Sequence, residues 1–138
     1  MSSQRVELAR QLANININIS TANSQIRVLQ GQIDEIEEAQ SQLSEIIGIA
    51  GDDNHLLDSL ECEDLHLWKG HNQTLRATDY SECQQMMSEF TRRLDSWDRE
   101  LATAHLRVSR ELSGQESTLA GLNASHRHVT DLMRRLSN

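Results

Sequence analysis

Apolar residues recur along the first third of the chain in steps that alternate between four and three. Counting from Leu8, the stripe runs through Leu12, Ile15, Ile19, Ala22, Ile26, Leu29, Ile33, Ile36, Gln40, Leu43 and Ile47. Such steps hold one face of a helix apolar, and sustained this long they make a heptad seam. Gln40 is the one polar member; a polar seam residue either fixes register and partner number or sends its amide to solvent. The stretch NININIS also alternates with period two, as a strand does, but it lies inside the longer seam, which governs. The pattern predicts helix 1 over residues 4–47.

A second seam follows through Cys83, Met87, Phe90, Leu94, Trp97, Leu101, Ala104 and Val108, then Leu112, Gln115, Leu119, Leu122, His126, Val129, Met133 and Leu136. The two successive steps of four from Ala104 to Leu112 are a stutter, which locally unwinds a seam, and Ser113 and Gly114 come directly after it. Helix 2 is therefore expected over 72–112, with a bent or separate helical segment over 115–136. Two arms of matching length predict a single all-α domain, a long antiparallel, coiled-coil-like hairpin. Between the arms, residues 48–71 open with GIAGDDN, whose glycines can end helix 1, and HLLDSLECEDLHLW can add a short helix.

Composition narrows the function classes. The 138 residues contain no Pro, and 13 Lys and Arg stand against 21 Asp and Glu for a net charge of −8, which argues against a nucleic-acid binder. From Val28 through Trp68 there are eleven carboxylates and no Lys or Arg, either a solvated face or a docking surface for a basic partner. No apolar run reaches the length of a membrane span and the N-terminus lacks the apolar core of a signal peptide, so no membrane insertion is expected and any export is leaderless from a cytoplasmic site of synthesis. No phosphate loop, nucleophile turn or paired-carboxylate arrangement is present, so neither an enzyme nor a cofactor is expected. Cys62, His66, His71 and Cys83 surround the connection without the spacing of a compact zinc motif. Two small apolar residues on helix faces is the simpler account of the cysteines, with a disulfide as the alternative in an oxidising compartment.

The stretch LHLWKGHNQ places Trp68 where a connection normally carries small polar residues. A ring there can fold over the hairpin end, and Gly70 can take a positive φ as the chain enters helix 2. A Trp-x-Gly turn between two long helices in an acidic chain resembles the WXG superfamily of helical-hairpin proteins associated with type VII secretion. In its length, its acidic segment before the Trp and its long helix after WKG, the chain is most similar to the YwqH-like partners of LXG-domain toxins.

That resemblance implies a partner role, in which the protein acts as a chaperone or targeting factor that pairs with the helical N-terminal domain of an LXG toxin. The superfamily's export signal is an aromatic or other apolar residue followed four positions later by Asp or Glu. Here Tyr80 is followed by Gln84, Phe90 by Leu94 and Trp97 by Leu101, which favours export together with a second chain. Partner-binding residues are expected among those a hairpin seam leaves over: Ile17 on the outer face of helix 1, and the stripe Leu119, Leu122, Val129, Met133 and Leu136. The competing reading is a self-associating coiled-coil scaffold whose stripes close in a homodimer.

Overall fold

The computed structural model describes the backbone of residues 2–64 and 71–137, and within these the side chains of residues 3–55 and 77–137. Helix α1 spans Ser2–Asp64 and helix α2 spans His71–Ser137, and no strand occurs among the described residues. The two long helices pack against each other as an all-α helical hairpin. Their contacts divide the chain into two compact units, one made of Met1–Glu35 with His105–Asn138 and the other of Ile36–Ala104.

The first unit pairs the start of α1 with the end of α2 in antiparallel sense. Arg5 Nη2 donates a hydrogen bond of 2.8 Å to Ser137 Oγ, Leu8 lines a groove with Leu132 and Leu136, and Leu29 lines another with Gln115 and Thr118. Its most buried residues are Ala22, Leu29, Val108 and Val129. Arg134 and Arg135 occupy the last turn of α2, where cations complement the negative end of the helix dipole.

In the second unit Leu43, Ala50 and Leu94 form the core, with Ile47 and Leu101 packed against them. Among the described residues Leu94 is the most enclosed large side chain, 1% exposed. A seam this narrow leaves polar groups little opportunity to be buried, and no buried side-chain N or O among the described residues lacks a hydrogen-bond partner. Several mid-helix hydroxyls satisfy themselves locally: Thr21, Thr103, Thr118 and Thr130 each donate to the carbonyl four residues back, at 3.0, 2.9, 3.0 and 2.7 Å.

Two expected helix ends are absent. Helix α1 does not stop at 47 but continues through Gly48 and Gly51 to Asp64. Its seam extends through Ile47 and Ala50 to Asn54, and the buried contact of Ala50 with Leu43 and Leu94 holds this stretch in register. A helical glycine costs about 1 kcal/mol relative to alanine, a penalty that continued packing offsets. Helix α2 likewise begins at His71 and passes without interruption through 112–115, so residues 115–136 are not a separate helix. Across the stutter the inward positions are Leu101, Ala104, Val108 and Leu112. Eleven residues over three turns is a period of about 3.67, which a straight helix tolerates. The stutter therefore alters the path of the seam and leaves the helix intact. Trp68 and Gly70, on which the turn motif rests, lie outside the described residues, as do the side chains of Cys62, His66 and His71.

Candidate interaction surface

The stripe expected to stand open at the end of α2 is occupied. Val129 is buried, and Leu119, Leu122, Met133 and Leu136 are half-buried on the face of α2 that meets α1. They continue the seam because α2 runs antiparallel to α1 as far as Ser137, giving each a neighbour in the N-terminal half of α1. Of the residues singled out for partner binding, only Ile17 stands free, at 62% exposure. It is isolated: the side chains three and four positions away are Ala13, Asn14, Ser20 and Thr21. A lone exposed isoleucine is ordinary for a protein surface.

A larger apolar surface lies in the second unit. Phe90 and Trp97, expected on the seam, are 42% and 49% exposed, while Thr91 is half-buried in place of Phe90. Helix α1 sets this choice. Its inward rows here are Ile36, Leu43 and Ala50, together with Gln40, Ile47 and Asn54 four residues after each. In an antiparallel pair the row four residues after the seam on one helix meets the corresponding row on the other. Helix α2 therefore turns Thr91, four after Met87, toward α1 and leaves Phe90 and Trp97, three after Met87 and Leu94, on the opposite shoulder.

The same offsets recur in the first unit. Gln11 and Asn14, three after Leu8 and one before Ile15, share a groove with Ser125 and His128, three after Leu122 and one before Val129. Gln25 and Val28 share another with Glu111 and Gly114 at equivalent offsets. Positions three after and one before a seam residue thus lie on one shoulder of both helices. In the second unit they hold Ile46 and Ile49 on α1, 43% and 61% exposed, and Met86, Phe90 and Trp97 on α2, with Met86 69% exposed. The other shoulder of this unit is polar: Asn54 lines a groove with Ser81, Gln84, Gln85 and Ser88.

Ile46, Ile49 and Met86 were not singled out by the seam pattern, because a search for the inward stripe treats every other position as solvent. Their signal is a second stripe at a fixed offset from the first. Tyr80 and Gln84, which occupy the spacing of the export signal, are joined by a 3.0 Å hydrogen bond from Gln84 Nε2 to the Tyr80 hydroxyl.

Chemistry elsewhere is sparse. Among the described residues no group of three or more His, Cys, Asp and Glu side chains is placed to hold a metal ion. Cys83 is a free, exposed thiol. No described helix is long and apolar enough to cross a membrane. The surface on offer is suited to contact with another macromolecule through apolar side chains on two adjacent helices. The chain matches no family model, no curated protein and no solved structure.

Proposed function

We propose that the protein is a small helical partner, a chaperone or targeting factor that binds the helical N-terminal domain of an LXG-type toxin for type VII secretion. The observation that carries this reading is the position of the Trp68-Lys69-Gly70 sequence, which falls in the six residues between the end of α1 at Asp64 and the start of α2 at His71. That is where the WXG superfamily carries its motif, and helical pairs of this kind lengthen into bundles by adding further helices side by side. Ile46, Ile49, Met86, Phe90 and Trp97, large apolar side chains outside the hairpin's own seam, give such a bundle something to grow on.

The test is genetic and biochemical. Co-expression with an LXG-type N-terminal domain yields a complex that co-purifies, and deletion of either gene removes the other product from the culture medium. Efficient export of this protein in the absence of any toxin, together with no complex on co-expression, leaves the self-associating scaffold as the better reading.

A further inference from the structure

We infer that the shoulder formed by Ile46, Ile49, Met86, Phe90 and Trp97 is a docking face for an amphipathic helix of a partner protein whose apolar stripe is flanked by Lys and Arg. This inference deepens the reading above by assigning its surface, and it holds for any partner of that chemistry.

The five side chains form one patch. Leu94 packs with both Leu43 and Ala50, so in the antiparallel pair Ile46 stands level with the turn from Leu94 to Trp97, and Ile49 with the turn from Phe90 to Leu94. Met86 lies one turn before Phe90 on the same shoulder. From Met86 to Trp97 the face extends about 16 Å at 1.5 Å per residue, the reach of three helical turns. Two helices side by side present a shallow trough, and a third helix fills it with anchors at i, i+3 or i+4 and i+7. Turning Phe90 and Trp97 outward while Thr91 faces the seam departs from the arrangement that would bury most apolar surface, and departures of this kind concentrate where a protein binds something.

Charge selects the occupant. Residues 36–104 carry fifteen Asp and Glu against five Lys and Arg, a net −10, whereas the remainder of the chain carries six against eight, a net +2. Among the described residues the shoulder itself holds Asp79, one before the half-buried Tyr80, Glu100, one before Leu101, and Asp53, three after Ala50, with Arg93 as the one basic member. No side-chain hydrogen bond or ion pair of Asp53, Asp79 or Glu100 occurs among the described residues. Two copies of this unit bring −10 against −10, and two copies of the shoulder set Asp53, Asp79 and Glu100 against their like; like-charge apposition disfavours that pairing. A helix with Lys and Arg beside its apolar stripe finds apolar contact in the trough and carboxylates along the rims, in the manner of complementary interface fields.

The experiment uses the full-length chain and two synthetic helical peptides with the same leucine stripe, one flanked by Lys and one by Glu. Titration calorimetry is expected to show the Lys-flanked peptide binding at least about tenfold more tightly, with affinity falling as salt rises. The double substitution Phe90→Ser and Trp97→Ser, checked for unchanged helicity by circular dichroism, weakens that binding about tenfold or more, and Ile17→Ser leaves it unchanged. Equal affinity for the two peptides, or undiminished binding by the double variant, overturns the inference. So does sedimentation showing a wild-type dimer that the double substitution dissociates, which makes a second copy the occupant. If a purified LXG domain does not bind but the Lys-flanked peptide does, the surface stands and the toxin reading falls. If the LXG domain binds and the double variant binds it equally well, the toxin reading stands and this surface is overturned.

Discussion

Leu94 and Trp97 are three residues apart on α2, yet one is 1% exposed and the other 49% exposed. A single helical turn therefore separates the centre of the second unit's core from the edge of its open apolar shoulder. Leu94→Ala removes a side chain enclosed by Leu43 and Ala50 and is expected to cost about 2–5 kcal/mol. Trp97→Ala, outside the seam, is expected to cost about 1 kcal/mol or less. Thermal melts followed by circular dichroism compare the two. Equal losses would place Trp97 inside the core.

The stripe at the end of α2 leads to a different expectation. Leu122→Asp with Val129→Asp puts carboxylates against α1, where burying a charge without a partner costs several kcal/mol. Amide exchange should then accelerate in residues 3–35 and 105–137, the unit that contains both positions, while protection around Leu43, Ala50 and Leu94 persists. Unchanged exchange in the first unit would show that the stripe does not pack on α1.

Glycines inside the helices offer a gain. A Cβ added at Gly114 meets nothing within 4 Å, and the same holds at Gly48. Gly114→Ala and Gly48→Ala are each expected to stabilise the protein by about 0.5–1 kcal/mol, through the lower backbone entropy of the unfolded chain. A fall in melting temperature for Gly114→Ala would point to a local helix distortion at the stutter.

Near the N-terminus, Arg10 Nη2 donates to both carboxylate oxygens of Glu7, at 3.0 and 2.7 Å. That hydrogen bonding first, and the guanidinium charge second, hold the Glu7 carboxyl below its ordinary range. A folded-state pKa depressed in this way contributes stability above the unfolded pKa and loses it as the pH falls through the folded value. An NMR titration should find the Glu7 midpoint lower than in Arg10→Gln. Because the pair is exposed, the melting temperature at neutral pH should hardly change on that substitution.

The inward face of α1 was fully legible: every position from Leu8 to Ile47 assigned to the seam is buried or half-buried. Apolar residues repeated this often leave only one face for packing. Helix ends were less legible, because Gly48, Gly51 and Gly114 have the chemistry of terminators while packing of Ala50, Leu112 and Gln115 on the opposite helix decides whether they act as such. The second seam was misread at Phe90 and Trp97 for a related reason. Steps of four and three fit two adjacent rows equally well, and the row that faces inward is set by the partner helix. The candidate surface was hidden for that reason: Ile46, Ile49 and Met86 join Phe90 and Trp97 only once the two helices are paired.

A core only one seam deep has a thermodynamic consequence. Each buried layer, such as Leu43, Ala50 and Leu94, is walled by two helices and open on its remaining sides. Its free energy of opening is correspondingly small, and anything that binds only the closed pair raises it by mass action. At one hundred times its dissociation constant, such a ligand adds about 2.7 kcal/mol, a large fraction of what a thin helical pair holds by itself. The melting temperature of this protein then becomes a gauge of occupancy, rising with the concentration of any such ligand and returning to a low baseline when that ligand is withdrawn.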